Sequence, residues 1–195
     1  QTCALPICSL KEYGISYKQV ELTPEGSIDY DALQRAIGPA TRMVCLQRAT
    51  GYAWRKAISI EEIRECTAFV KNIDPNIICM ADNCYGEFLH IQEPTDAGID
   101  VMAGSLIKNP GGGLALTGGY IAGRQDLIDK VSYRMTSPGI GGECGLTFGQ
   151  TRSILQGLFI APKTVNGALK GAVLCGKAFE LLGYDVCPGP EELRS

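Results

Sequence analysis

The sequence predicts an α/β fold with a mostly parallel sheet covered by helices on both faces, and three observations support this prediction. Short apolar runs of strand length recur along the chain, for example "RMVCLQ" at 42–47 and "NIICMAD" at 76–82. Longer segments with apolar residues at helical spacing lie between them. The runs are apolar along their whole length, which is typical of parallel strands buried on both faces. We therefore expect a three-layer α/β/α domain.

The first predicted strand differs from the others. Residues 15–22 alternate between apolar and polar side chains and are partly β-branched, a pattern that indicates a strand. The later strands are compact apolar runs bounded by polar residues or glycine. The five predicted strands are 15–22, 42–47, 76–82, 99–106 and 118–123.

Two predicted helices have clear capping signals. Asp29 is a suitable N-cap for a short helix that Gly38 would end. Ser59 is followed three residues later by Glu62, which is the pattern of a capping box. The apolar residues after Ser59 recur at helical spacing, so we expect a longer amphipathic helix there.

The second half of the chain is predicted to be mainly helical. Residues 124–135 form one predicted helix. Two more are expected at 145–159 and 161–183, since Pro162 is well suited to the first turn of a new helix.

Composition narrows the function classes. The chain has 195 residues, 45% hydrophobic and 20% charged, with a formal net charge of −3. Because no basic tract is present, nucleic acid and anionic membranes are not expected partners. No apolar run reaches the roughly 20 residues of a membrane-spanning helix, and no signal-peptide pattern is found. We expect a cytoplasmic protein.

The nine cysteines do not form a metal or disulfide pattern. No Cys-x-x-Cys occurs, and His90 is the single histidine, so a zinc site is not expected. Several cysteines lie inside apolar segments. We expect them to be reduced and mostly buried.

Both ends of the sequence are unusual. Gln1–Ile7 read as the translation of a common sequencing adapter, so residues 1–8, with Cys3, are interpreted as an artefact. Residues 9–183 are interpreted as part of a large domain, and residues 184–195 as the start of a small C-terminal domain. On this hypothesis the chain is an internal fragment of a longer protein.

Polar residues lie at or just past the carboxyl ends of three of the predicted strands. In parallel sheets, ligands bind beyond the carboxyl ends of the strands, so these residues are expected to share one edge. They are Gln47 and Arg48, Asp82 and Asn83, and Ser105 with Lys108.

Lys108 lies between a predicted strand and three glycines, 111–113, and has three interpretations. It is a surface charge, a phosphate ligand or a covalent anchor. A P-loop lysine is excluded because G-x-x-x-x-G-K-[ST] is absent. "GIGGECG" at 139–145 is not a dinucleotide-binding fingerprint, because no strand leads into it. Pyridoxal 5'-phosphate (PLP) requires an amine for its aldehyde, an acid against its ring nitrogen and donors for its phosphate. Lys108, Asp82, Ser105 and the glycine loop are residues of those types.

Four motifs resemble a known family. "DNCYGEF", "GSLIKNPGGG", "TGGYIAGRQDLIDK" and "SPGIGGECG" are similar to the methionine gamma-lyase-like proteins, also called aluminium resistance proteins, among the fold-type-I PLP-dependent enzymes. The likeness runs from about Ser9 to the C-terminus. By this resemblance Lys108 carries the internal aldimine with PLP, Asp82 pairs with the pyridine nitrogen and Ser105 contacts the phosphate.

Other residues are weaker candidates for the same site. Arg48 either binds a carboxylate group or forms a structural ion pair. Asn83 either faces the cofactor or caps a turn. Both are included as candidate cofactor-binding residues. Tyr85 is included as a candidate catalytic residue that stacks or donates a proton, although packing in the core is the commoner role of a tyrosine.

Three further positions are interpreted conservatively. Glu87 is a candidate base, but a solvated charge is the favoured interpretation. His90 is expected to be structural or exposed. Thr50 stands where the family pattern is expected to have an arginine, which leaves no guanidinium there.

The resemblance implies a PLP-dependent lyase that cleaves a carbon–sulfur bond in an amino acid, acting as a homodimer or homotetramer. Lys108 would remove the α-proton after substrate displaces it from the cofactor. Whether β- or γ-elimination follows is left open. An aminotransferase is the alternative enzyme, although it needs a carboxylate-binding arginine in a C-terminal domain that this chain lacks. A non-catalytic PLP-binding protein or inactive fragment is the alternative from another class.

Overall fold

The computed structural model describes residues 10–136, 139–145 and 147–194. The interpretation of residues 1–8 as an adapter artefact therefore lies outside the described residues. The chain divides into two compact units, Gln1–Ala40 and Thr41–Ser195.

The described part of the first unit contains little regular structure. A 3-10 helix spans Leu10–Tyr13, and helix α1 spans Tyr30–Ala36. Asp29 caps α1 as predicted, because its carboxylate accepts a hydrogen bond of 2.8 Å from the backbone N–H of Ala32. The helix ends at its C-cap Ile37, one residue before the predicted stop.

The predicted strand at 15–22 is wrong. These residues do not form a strand, and their one described pairing is an isolated bridge between Leu22 and Ile28. The alternating pattern requires a sheet that buries one face of the strand. In this unit Tyr17 is 81% exposed, so its apolar surface has no such neighbour among the described residues.

The second unit is built on a mixed four-stranded sheet. Its strands lie in chain order, with β1 parallel to β2, β2 parallel to β3, and β3 antiparallel to β4. The mostly parallel sheet is therefore confirmed, with an antiparallel edge at β4. The strands are β1 (Met43–Gln47), β2 (Ile78–Asp82), β3 (Val101–Ser105) and β4 (Gly119–Gly123).

One side of β1 is exposed among the described residues. Met43 is 45% exposed, and Cys45 and Gln47 alternate with the half-buried Val44 and Leu46. Burial on both faces was expected for every strand, and β1 does not show it.

The cysteine prediction is also corrected. Of the seven described cysteines, all are free thiols, but only Cys66 and Cys79 are buried. An apolar sequence neighbourhood does not guarantee burial, because one face of an element can point to solvent.

Helix α2 (Ile60–Ile73) forms the main core with the sheet. Its predicted capping box is present, since Ser59 Oγ accepts from the Glu62 N–H and Glu62 accepts from the Ser59 N–H. Ile63 and Val70 are fully buried. Burial of each such side chain stabilises the fold by about 1.5–3 kcal/mol.

A buried carboxylate ties α2 to the sheet. Asp100 accepts from Lys71 Nζ at 2.6 Å, from the Cys79 N–H at 2.8 Å and from the Arg124 guanidinium at 3.0 Å. Lys71 also donates to the carbonyl of Ile77 at 2.7 Å. Asp100 thus joins the end of α2 to strand β2 and to Arg124.

The C-terminal helices differ from the prediction. Helix α3 (Gln125–Met135) forms as expected. The two helices predicted at 145–159 and 161–183 are instead one helix, α4 (Thr151–Leu181), with Pro162 inside it. Gly157, Ala161 and Val165 are buried at four-residue spacing on both sides of the proline. Packing along this one face holds the helix together where the proline removes a backbone hydrogen bond.

No helix in the described part of the chain combines the length and the apolar character that crossing a membrane requires.

Candidate active site

The predicted polar strand ends meet at one edge of the sheet. Gln47 pairs in register with Asp82, and Asp82 pairs with Ala103 of β3. The Arg48 N–H continues this edge by donating to the Asp82 carbonyl at 3.1 Å. The structure therefore confirms that these strand ends lie side by side, with Ser105 at the end of β3 and Lys108 three residues after it.

The turn that carries Lys108 has a closely defined backbone. The Lys108 N–H donates to the Ser105 carbonyl at 3.3 Å, and Asn109–Gly111 form a 3-10 turn. A Cβ on Gly111 would lie 1.8 Å from the carbonyl oxygen of Leu106. Gly112 has a φ of +56°, in the left-handed region that favours glycine. The glycines are therefore required by the shape of the turn that follows Lys108.

Lys108 is half-buried and lies against an aromatic ring. Its Nζ is 4.3 Å from the ring centroid of Tyr85, within cation–π distance. Partial burial lowers the pKa of Lys108, but the hydrogen bond to Cys84 and the charges of Cys84, Tyr85 and Asp82 raise it. The net pKa of Lys108 is above its ordinary value.

Asp82 is exposed at the carboxyl end of β2. Its Oδ1 accepts from the Cys84 N–H at 3.0 Å, which closes a short turn and orients the carboxylate. The negative charge of Asp82 is one of the causes that raise the pKa of Lys108. Strand end and lysine turn therefore present an acid and an amine together.

The loop between Asp82 and the 3-10 turn at Pro94–Ala97 has a strained backbone. Tyr85 and Phe88 have φ values of +69° and +63°, which non-glycine residues rarely adopt. Tyr85 is 48% exposed, so the expected core packing of this tyrosine is wrong. Its ring instead lies beside Lys108, and its catalytic role stays a prediction.

A buried polar cluster lies beneath this edge. Arg48 and Asn83 are fully buried, and the Arg48 guanidinium donates to Asn83 Oδ1 at 2.9 Å. Asn83 Nδ2 donates to Glu93 at 2.8 Å, and the Tyr120 hydroxyl donates to Glu87 at 2.7 Å. Burial lowers the pKa of Arg48, which the charges of Glu93 and Glu87 oppose.

The same cluster corrects the interpretation of Glu87. A solvated charge was favoured, but Glu87 is 4% exposed. Burial raises the pKa of Glu87, against the lowering effect of the Tyr120 hydrogen bond. Arg48 and Asn83 have their described contacts inside the protein, so their role toward a cofactor stays a prediction. His90 is exposed, as one of its two expected states.

Sequence reasoning missed Tyr120 and Glu93 as members of this cluster. The available signal was indirect and lies in two glycines. A Cβ on Gly104 would lie 2.4 Å from both Glu87 Oε1 and the Tyr120 ring, and one on Gly86 would lie 2.3 Å from the Arg48 guanidinium. These glycines leave the space that the large polar side chains fill.

The residues at the sheet edge suit PLP, the cofactor that the resemblance implies. The half-buried Lys108 can be reached by an aldehyde, and the charge of the exposed Asp82 carboxylate helps to raise its pKa. Tyr85 adds an aromatic face at 4.3 Å from the amine. This set of an amine, a carboxylate and an aromatic ring fits the cofactor's aldehyde, ring nitrogen and ring face.

The chain is similar in sequence to known proteins. A sequence model of the methionine gamma-lyase family matches residues 5–195. The uncharacterized protein YnbB of Bacillus subtilis (strain 168) is 51% identical over 180 residues, which cover 92% of this chain and 43% of YnbB. L-methionine gamma-lyase of Pseudomonas deceptionensis is 28% identical over 130 residues, which cover 67% of this chain and 30% of that enzyme.

The chain is also similar to solved structures of proteins described as lyases. A carbon–sulfur lyase involved in aluminium resistance from Clostridium novyi NT is 51% identical, with a TM-score of 0.91 over 97% of this chain and 45% of that one. A candidate cystathionine beta-lyase involved in aluminium resistance from Listeria innocua is 48% identical, with a TM-score of 0.93 over 97% of this chain and 46% of that one. The chain spans less than half the length of the four relatives named here.

Proposed function

The chain belongs to the methionine gamma-lyase family, and we propose that it serves in a PLP-dependent lyase that cleaves a carbon–sulfur bond of an amino acid. The observation that carries this proposal is the position of Lys108. Its amine follows the carboxyl edge of the sheet and lies 4.3 Å from the centre of the Tyr85 ring, and the charge of Asp82 helps to raise its pKa. The match to carbon–sulfur lyases supports the reaction class.

In this proposal each edge residue has a distinct task. Lys108 Nζ binds the cofactor's aldehyde and, once released, takes up the α-proton of the substrate. Asp82 holds a proton on the ring nitrogen through a charge-assisted hydrogen bond. Ser105, at the end of β3, contributes its hydroxyl to the phosphate. PLP supplies an electron sink for the carbanion that proton removal leaves.

Asn83 and Arg48 act from below the edge. Since both are fully buried, they hold the Asp82 turn rather than meet solvent. The Arg48 N–H donates to the Asp82 carbonyl, and the Arg48 guanidinium donates to the Asn83 side chain. These two bonds attach the turn to the residue that follows β1. We propose them as support for the cofactor site.

The wider architecture is part of the proposal. We infer a fold-type-I large domain of the three-layer α/β/α kind for residues 9–183, and the beginning of a small domain for residues 184–195. The protein would act in the cytoplasm as a homodimer or homotetramer. The structural likeness to the Clostridium novyi carbon–sulfur lyase at 51% identity supports the fold in this proposal.

A reduction experiment tests the proposal. The chain is incubated with PLP, treated with borohydride and digested, and the labelled lysines are located by mass spectrometry. Lys108→Arg removes the proposed amine, and Lys130→Arg removes an exposed lysine of α3 as the matched control. We expect label on Lys108 in the unmodified chain and in the control, and none at position 108 in Lys108→Arg.

Label spread evenly over many lysines of a folded chain would contradict the proposal.

The reaction class is checked on the same preparation with sulfur-containing amino acids. Release of a thiol together with ammonia and a 2-oxo acid indicates a lyase. Formation of a 2-oxo acid from the substrate only when an acceptor 2-oxo acid is added would indicate an aminotransferase instead.

A further inference from the structure

The loop that carries Tyr85 is held by side chains from outside it. Three consecutive carbonyl groups, those of Tyr85, Gly86 and Glu87, each accept a hydrogen bond from a distant side chain. Asn109 Nδ2 donates to the first and third, both at 3.0 Å, and the Arg48 guanidinium donates to the second at 3.0 Å.

These contacts support a backbone that would otherwise be unfavourable. The positive φ values of Tyr85 and Phe88 are unfavourable for non-glycine residues and persist only where the surroundings impose them. The Phe88 N–H is also held, by Glu93 at 3.1 Å. The loop keeps its shape because side chains satisfy its polar groups from two sides.

Asn109 has a special place among these residues, because it directly follows Lys108 in the chain. An asparagine amide has two N–H donors, and here they are used on the two carbonyls of a single loop. The turn that carries the amine is thereby joined to the loop that carries the Tyr85 ring. Arg48, which is fully buried, donates to the Gly86 carbonyl of the same loop.

We propose that Asn109 is a positioning residue for Lys108, which through its paired hydrogen bonds holds the amine beside the Tyr85 ring and the Asp82 turn. This inference rests on the proposed function of Lys108 in binding PLP. Without Asn109 the Lys108 turn and the Tyr85 loop move independently, and the amine loses its fixed approach to the cofactor's aldehyde.

Two variants test this proposal, and a third serves as a control. Asn109→Ala removes the amide, and Asn109→Asp keeps its size and shape but presents no N–H to the two carbonyls. Asn76→Ala is the matched control, since Asn76 Nδ2 donates to Asp74 at 3.0 Å in an exposed turn elsewhere.

The first readout is amide hydrogen exchange. The reporters are Gly86, whose N–H donates to Asn83 at 2.8 Å, and Phe88 in the Tyr85 loop, with Gly111 and Gly112 in the lysine turn. We expect exchange about tenfold faster at these amides in both Asn109 variants, as loss of two hydrogen bonds implies. Exchange within α2 should be unchanged, which shows that the variants are folded.

The second readout is the rate at which borohydride fixes PLP on Lys108. We expect it to fall about tenfold in both Asn109 variants and to be unchanged in Asn76→Ala. Faster exchange together with slower fixation supports the proposal. Unchanged exchange in Asn109→Asp, or faster exchange with unchanged fixation, overturns it. A chain that takes no label on Lys108 before any substitution contradicts the proposed function itself, and this inference with it.

Discussion

Gly157 of α4 and Gly111 of the lysine turn are in backbone contact, so close that a Cβ on Gly157 would lie 2.2 Å from the Gly111 carbonyl oxygen. Gly112, which follows Gly111, is also in close contact with the helix, because a Cβ on Gly112 would lie 2.4 Å from the Gly157 carbonyl oxygen. The long helix therefore rests directly on the turn that carries Lys108. Its position and that of the amine are linked through main-chain atoms.

Gly157→Ala is expected to lower the free energy of unfolding by about 1–3 kcal/mol, because the methyl group meets backbone that cannot move aside cheaply. The gain in helix propensity of about 1 kcal/mol does not offset this clash. Gly167→Ala lies on the same helix with no atom near its added Cβ, and should be neutral or stabilising. Urea denaturation followed by circular dichroism compares the two. A Gly157→Ala chain as stable as Gly167→Ala would contradict the prediction.

Asp82→Asn should weaken PLP binding by about 10- to 100-fold, since it removes a charged hydrogen-bond partner from the cofactor's ring nitrogen. The amide oxygen can still accept from the Cys84 N–H, so the turn is retained. Asp74→Asn is the matched control, because Asp74 accepts from the Asn76 N–H in a turn of the same spacing. Titration of each chain with PLP measures the difference. Equal affinities of the two variants for PLP would contradict a role of Asp82 in binding the cofactor.

The rate of PLP attachment to Lys108 should rise with pH. The pKa of Lys108 is raised, so its amine is protonated near neutrality, while only the neutral amine attacks an aldehyde. The neutral fraction increases about tenfold per pH unit below the pKa, and no plateau is expected before about pH 10. Fixation on Lys108 is measured across this range, with Nα-acetyllysine as the reference amine. A plateau near neutral pH would show a lowered pKa and contradict the structure.

Glu87→Gln should be more stable than the unmodified chain at alkaline pH. The pKa of Glu87 is raised in the folded state, so its protonated form is favoured there. The stability linked to this proton is complete below about pH 4.3, the ordinary Glu value, and is lost as the pH rises through the raised pKa. The amide that replaces the carboxyl group stays neutral at every pH, and its oxygen can still accept from Tyr120. Urea denaturation at several pH values tests this, and a stability difference that is the same at acid and alkaline pH would refute it.

Asp100→Asn should show the opposite pH dependence. Burial raises the pKa of Asp100, but the hydrogen bonds from Lys71, Cys79 and Arg124 lower it by a larger amount. The net pKa of Asp100 is therefore below its ordinary value. Its contribution is present above about pH 3.9 and is lost as the pH falls through the lowered pKa. Because Lys71 and Arg124 are partly exposed, we expect a cost of about 1–3 kcal/mol at neutral pH. The cost should shrink in acid, and a constant cost would argue against the ion pairs.

Local signals were sufficient for much of the fold. The capping box at Ser59, the N-cap at Asp29 and the apolar runs of β1 to β4 each depend on neighbours close in sequence, and all are confirmed. Placement of Asp82, Ser105 and Lys108 at one edge followed from the rule that parallel strands share a direction. Their predicted roles toward the cofactor are the subject of the experiments above.

Errors arose where distant partners decide the outcome. Residues 15–22 have the alternation of a strand, but a strand also needs a sheet beside it. Pro162 suggested a helix start, but buried Gly157, Ala161 and Val165 carry α4 through it. Glu87 reads as a surface charge by composition, whereas the Tyr120 hydroxyl and the space beside Gly104 place it inside.

The sequence by itself determined the α/β class, most element boundaries and the candidate amine at Lys108, because these depend on local periodicity, capping and motif spacing. Only the tertiary structure decided the surroundings of that amine. Residues 22 to 46 positions apart are joined by the paired hydrogen bonds from Asn109 to the strained Tyr85 loop and by the contact of Gly157 with Gly111. Such contacts depend on how the elements pack together, and no local pattern in the chain encodes them.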